Sequence, residues 1–151
     1  MKPTPKGWPR LSGAIYYDDA AAAIDWLSRA FGLDVRMKVE GEGGRIEHSE
    51  LVYGEAVVMV AQSGKRPTHP KFPPCSSPRS LNGANTQMLM LYVDGIDAHC
   101  ARAREAGANI IEEPADHDYG ADYWADRGYG ALDPEGHMWW FTERLRNPPG
   151  E

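Results

Sequence analysis

Cysteine is scarce in this 151-residue chain. Its two cysteines, Cys75 in a proline-rich stretch and Cys100 further along, cannot build a disulfide framework. Two free thiols in a reducing compartment are the expectation, and with them a cytoplasmic protein. No apolar run reaches the roughly 18 residues that a membrane-crossing helix needs. The opening residues, Met-Lys-Pro-Thr-Pro-Lys-Gly-Trp, lack the apolar stretch of a secretory signal, so none is expected. Positive charge is also short: 16 Lys and Arg face 22 Asp and Glu, for a net charge of −6. Without a basic stripe, nucleic acid is not an expected partner. What remains is an ordinary globular composition, 42% hydrophobic and 25% charged, at a length that suits one domain with its own core.

What the chain does have is a repeat of itself, 75 positions on. Asp19 to Gly32 lies over Asp94 to Gly107, and Tyr17/Tyr92, Ala23/Ala98 and Arg29/Arg104 fall in line without a gap. Each Asp follows a short apolar run, Ala14–Tyr17 or Met88–Val93, and each Gly precedes another. Strand, Asp cap, helix, Gly stop, strand, occurring twice, reads as a duplicated half-domain.

Around the repeat the first half reads as β-α-β-β-β. Ala20 to Phe31 is expected as a helix with a narrow apolar face at Ile24, Leu27 and Phe31, capped by Asp18 or Asp19 and stopped at Gly32. Val35–Val39 alternates like a half-buried strand and turns at Gly41–Gly44. Arg45–Tyr53 and Glu55–Val60 then follow, broken at Gly54. Residues 61–85 carry five prolines (Pro67, Pro70, Pro73, Pro74, Pro78) and read as a connector. Module one therefore spans about 10–63, the linker about 64–85 and module two about 86–145 of a single domain. The second half is expected to repeat the pattern: strand Gln87–Val93, helix Ile96–Ala106, and strand Asn109–Glu113 ended by Pro114. An acid- and aromatic-rich segment follows, then a turn at Asp133-Pro-Glu-Gly136, strand His137–Thr142, and a polar tail from Arg144.

Tyr17-Asp-Asp19 leading into Ile24-Asp-Trp-Leu27 and Ala30-Phe-Gly32 resembles a known family. So do Val93-Asp-Gly-Ile-Asp97, Ala106-Gly107 and Asp133-Pro-Glu-Gly-His137. With two β-α-β-β-β modules, the chain resembles the glyoxalase/bleomycin-resistance/extradiol-dioxygenase superfamily, the vicinal oxygen chelate fold. His48-Ser-Glu-Leu51 and Gly136-His-Met-Trp-Trp140 look most like its PhnB-like or glyoxalase-like branch. The resemblance covers roughly Pro9 to Leu145 and implies an α+β fold in which two curved sheets enclose a cleft. It also implies paired chains, a homodimer.

In metal-dependent members of that family each module gives two His or Glu ligands, from its first and last strands. Counted onto this chain, those positions are Ser12, Met59, Met88 and Trp140. Ser, Met, Met and Trp do not together bind a hard or borderline divalent ion, and a one-residue slip brings in no better donor. No metal and no other cofactor are therefore expected.

Other candidates stand beside alternatives. His48 and Glu50, two apart on a strand, point the same way and read as a metal pair, an acid/base dyad or a solvated face. His99 is expected on the helix surface and His137 at a rim. His69 and His117 lie in loops. Cys75 lacks a neighbouring base to make it a nucleophile. Glu112, Glu113, Asp116 and Asp118 read as a solvated acidic loop. Trp124, Tyr123, Tyr129, Trp139 and Trp140 form a late aromatic cluster that suits a planar ligand. Alternation sends one of Trp139 and Trp140 into the core and the other, Trp140 by register, to the cleft. Tyr123 and Trp124 are expected beside it, with Arg127 for an anionic group or paired to Asp126 or Asp122. Tyr16, Met59, Met88 and Tyr92 complete the expected ligand-binding set.

Three functions follow in order. The first is a metal-free small-molecule-binding protein for a planar or amphipathic ligand. The second is a metal-dependent lyase, isomerase or dioxygenase with relocated ligands, and the third is an association subunit.

Overall fold

The computed structural model describes residues 1–64 and 71–150, so His69 lies outside the described residues. The chain divides into two compact units, Met1–Ala84 and Asn85–Glu151. The element order is β1 (Gly13–Tyr17), α1 (Ala20–Phe31), β2 (Asp34–Glu40), β3 (Ile46–Tyr53) and β4 (Ala56–Gln62) in the first unit. The second holds β5 (Met88–Tyr92), α2 (Ile96–Glu105), β6 (Asn109–Asp118), β7 (Ala125–Leu132) and β8 (Met138–Arg146). Each unit is a four-stranded mixed sheet with one helix on one face; the strand orders are β1-β4-β3-β2 and β5-β8-β7-β6. This is the expected α+β duplication of β-α-β-β-β.

The first helix forms where its cap is built. The Asp19 carboxylate accepts from the Ala22 N–H at 3.0 Å, and Gly32 ends the helix at φ 73°. A left-handed residue there suits glycine and lets its own N–H reach back to the Ser28 carbonyl. Ala20, Ala23, Ile24, Leu27 and Phe31 bury their side chains, together with Ile15 and Tyr17 of β1 and Leu51, Val58 and Val60 of β3 and β4.

The second helix starts differently. Its cap is Gly95, φ 66°, with no side-chain cap bond, so Asp94 does not take the role that the repeat assigned to it. The Glu143 carboxylate of β8 accepts from the Ile96 N–H at 2.9 Å instead. The buried residues of α2 are Ile96, His99, Cys100 and Ala103. They match Ala20, Ala23, Ile24 and Leu27 one position later than the sequence repeat places them. In the strands the same shift makes Tyr16, not Tyr17, the counterpart of Tyr92: Tyr17 is buried and Tyr92 is half exposed.

Two further expectations change. Strand β2 is exposed along its whole length rather than half buried, because it is an edge strand. Strand β6 runs on past Pro114 to Asp118. Pro114 falls where the β6/β7 register skips, between Glu112↔Gly130 and Ala115↔Gly128, on the outermost strand of the sheet. A bulge on an edge strand is where a residue without an N–H does no damage to the ladder. The acidic and aromatic segment is therefore the end of β6, a turn, and the start of β7.

Candidate functional site

Alternation along β8 sends Trp139, Phe141 and Glu143 towards the helix and Trp140, Thr142 and Arg144 to the opposite, open face. Trp139 is fully buried, stacks on Phe141 with ring centroids 6.1 Å apart, and donates its indole N–H to Asp133 at 3.1 Å. The same Asp133 carboxylate accepts from the Glu135 and His137 N–H groups, both at 3.0 Å, which fixes the turn before β8.

Trp140 is only partly covered. Its indole lies across two glycines of β7: a Cβ on Gly128 would stand 3.1 Å from the indole nitrogen, and one on Gly130 would stand 3.1 Å from the ring carbons. The glycines supply a flat backbone bed for a flat ring. Register sets the neighbours on this face. Met90 pairs with Trp140, Met88 with Met138, and Tyr92 with Thr142. Met88, Met90 and Tyr92 are 50%, 52% and 48% exposed. The His117 ring of β6 lies 5.9 Å from Trp140. The Thr142 hydroxyl and the His117 Nε2 are buried here without a hydrogen-bond partner among the described residues.

At one end of this face the Arg144 guanidinium lies 5.4 Å from the Tyr92 ring and 5.7 Å from the Trp124 ring. It donates to Asp126 at 2.5 Å and to the Tyr92 hydroxyl at 2.6 Å. The Asp126 hydrogen bond holds the Arg144 pKa above its ordinary value. Trp124 also meets the Tyr119 and Tyr123 rings, at 5.1 and 6.3 Å. An open sheet face carrying three aromatic rings, thioethers and a neutralised cation offers stacking surface with little net charge.

Arg127 is not part of it. It lies on the helix side of β7, donates to Asp97 at 2.8 Å and to Asp116 at 2.7 Å, and pairs with neither Asp126 nor Asp122. Those two carboxylates, Asp97 first, hold its pKa well up. Tyr129 and His99 also leave the expected surface set. Both are buried, 2.7 Å apart through the tyrosine hydroxyl and His99 Nδ1, and burial pushes the tyrosine pKa up. His137 is buried rather than at a rim. Asp118 and Asp116 are not free acids: Arg146 and Arg127 hold them. Arg144, read as tail, is the arginine that the aromatic face has. Continuing the β8 alternation two residues past Thr142 would have found it.

In the first unit, Tyr16 and Met59 share the face of the sheet away from α1, Ala14 pairing with Met59 and Tyr16 with Ala61. His48 and Glu50 are close, Nε2 to Oε1 at 3.0 Å. Glu50 is buried and its second oxygen accepts from the Arg36 Nε at 2.7 Å. The His48 hydrogen bond, then Arg36, holds the Glu50 carboxyl below its ordinary range.

Ser12 and Met59 in one unit and Met88 and Trp140 in the other, the positions the resemblance implied for a metal, are a donor set that does not fit a divalent ion. Among the described residues no three His, Cys, Asp or Glu side chains gather in a way that could hold a metal. No described helix is long and apolar enough to cross a membrane.

Comparison with known proteins adds a family. The model of the Glyoxalase/Bleomycin resistance protein/Dioxygenase superfamily matches residues 11–141. The uncharacterized protein Mb0911c of Mycobacterium bovis is 32% identical over 139 residues, which cover 91% of this chain and 85% of that protein. Among solved structures, TioX from Micromonospora sp. ML1 is 30% identical, with a TM-score of 0.68 over 89% of this chain and 98% of the other. TnmS3, an antibiotic binding protein from Streptomyces sp. CB03234, shares 19% identity and a TM-score of 0.61 over 90% of this chain and 96% of its own. At that identity the likeness is one of fold.

Proposed function

Since the chain belongs to the Glyoxalase/Bleomycin resistance protein/Dioxygenase superfamily, we propose that it is a metal-free binding protein for a planar or amphipathic small molecule, held on the open face of its second sheet. The observation that carries this reading is Trp140, spread on the glycine bed of β7 with its outer surface partly uncovered among Met88, Met90 and Tyr92. A planar ligand gains most from such a surface because stacking adds to the apolar area that both partners bury. Arg144 and Trp124 form the end of the platform, and Tyr123 lies beside them. The charge of Arg144 is already balanced by Asp126, so the surface favours ligands of low charge. Tyr16 and Met59 present a surface of the same kind on the first sheet.

The partner is thus a small molecule, and a second copy of the chain covers the exposed apolar residues Val35, Met37 and Val39 of edge strand β2. The two free thiols, one exposed and one buried, fit a reducing cytoplasm.

The experiment is a thermal-shift screen of flat aromatic compounds, with each hit titrated by tryptophan fluorescence. Trp140→Ala should weaken a genuine ligand by about tenfold or more, since stacking contributes roughly 0.5–1.5 kcal/mol beyond the buried area. Hits that bind the Trp140→Ala variant as well as the parent would overturn the reading. So would about one zinc, iron, nickel or manganese per purified chain, which would support the metal-assisted enzyme with relocated ligands instead.

A further inference from the structure

The first unit carries a groove of about 510 Å³ between residues 4–9 and the β3–β4 hairpin. This volume lies in the range of small-molecule pockets. Its apolar wall is Trp8, Val52 and Val57, and its charges are Lys6, Arg36 and Glu55. Arg36 is paired with Glu50, so the groove holds no net positive charge and offers an anion directed N–H donors from Arg36 and Lys6 instead.

The wall is built, not draped. The Trp8 N–H donates to the Pro5 carbonyl at 3.0 Å across a turn whose third residue, Gly7, has φ 76°. A turn with positive φ at that position calls for glycine. It aims the Gly7 carbonyl at Arg36, whose Nη1 donates to it at 2.5 Å. The Trp8 ring lies 4.9 Å from the same guanidinium. Arg36 is the residue skipped in the β2/β3 register, between Val35 and Met37, and its Nε is held by Glu50 at 2.7 Å. The cation is therefore fixed on its Nε and Nη1 sides, while its Nη2 has no hydrogen-bond partner among the described residues.

We infer that this groove, lined by residues of the first unit alone, is a binding site for a small aromatic carboxylate. The carboxylate would take Arg36 Nη2 with Lys6 beside it, and the ring would lie on Trp8, Val52 and Val57. A guanidinium held in a fixed orientation suits a planar carboxylate, because little entropy is lost in forming the hydrogen bond.

The test uses 2-naphthoate as the probe, titrated into the intact chain by calorimetry, with neutral 2-naphthylmethanol as control. Naphthoate should bind about tenfold or more tightly than the alcohol, the size of one charge-assisted hydrogen bond. Arg36→Gln and Lys6→Gln should each remove most of that preference, and Trp8→Ala should weaken both probes. Lys6 is exposed, so Lys6→Gln keeps the test valid if Arg36→Gln disturbs folding. Equal binding of acid and alcohol would overturn the inference. So would no binding at millimolar probe, or affinity unchanged in Trp8→Ala and Lys6→Gln.

Discussion

Trp139 and Trp140 are neighbours in the chain and opposites in environment. Trp139 is sealed beneath the sheet with its N–H on Asp133. Trp139→Ala should therefore lower stability by about 3–5 kcal/mol, the usual loss for a large core aromatic, read as a shifted urea midpoint. A loss below about 1 kcal/mol would mean that the site relaxes around the gap. Strand alternation alone separated these two tryptophans in the sequence, because two adjacent strand residues must face opposite ways. Arg127 needed the β7/β8 register as well, which sets it opposite Glu143 on the helix side, where its partners are Asp97 of α2 and Asp116 of β6. Those carboxylates are 30 and 11 residues away in sequence, and no local pattern selects them over Asp126. His99 was illegible for a similar reason. Its partner, Tyr129, stands 30 residues further along, on a strand that only the sheet order brings beneath α2.

At the scale of elements, the two helices solve one problem in two ways. Asp19 caps α1 from its own chain end, whereas α2 borrows Glu143 from β8. A free N–H at a helix start is worth satisfying, and removal of such a cap typically costs about 1 kcal/mol. Glu143→Ala should destabilise the protein by about that much and Asp94→Ala by much less, in paired denaturant curves. Equal losses would restore Asp94 as the cap. The element count and order were legible because apolar periods and Gly stops are local signals. The length of β6 was not, because Pro114 is an ordinary strand breaker unless an edge and a bulge coincide, and strand order decides that. The exposure of β2 was hidden in the same way, its Val-x-Met-x-Val alternation being the same at an edge as in the middle of a sheet.

For the whole molecule, charge sets an acid limit. Arg146 and the Gly120 N–H hold Asp118 at about 2 instead of the ordinary 3.8. Asp18, Glu50 and Asp97 are also held low, chiefly by Ser63, His48 and Arg127. A carboxyl with a folded pKa below its unfolded one adds stability above the unfolded value and loses it as pH falls through the folded value. The melting temperature should thus decline from about pH 4 towards pH 2, and added salt should flatten the decline because Asp118 and Asp97 are exposed. A flat profile across that window would contradict these ion pairs. Assembly is the other property at this scale. Light scattering should give the mass of two chains at micromolar concentration, and a single-chain mass would leave the apolar residues of β2 without their proposed cover. The duplication itself was readable, yet offset by one residue through strand and helix. The eye aligns Asp with Asp and Gly with Gly, while the core aligns Ala20 with Ile96 and Ile24 with Cys100.

The glycine bed beneath Trp140 has a consequence for how this chain can change over generations. Side chains at Gly128 and Gly130 would crowd the indole, together with the Phe141 carbonyl at Gly128 and the Ile111 side chain at Gly130. Size at these three positions is thus shared rather than owned. A side chain at 130 competes with the indole at 140, whereas one at 128 also meets the Phe141 carbonyl whatever stands at 140. A methyl at Gly130 would press on the indole and on Ile111 by a few tenths of an ångström, so Gly130→Ala should be better tolerated alongside a trimmed residue 140.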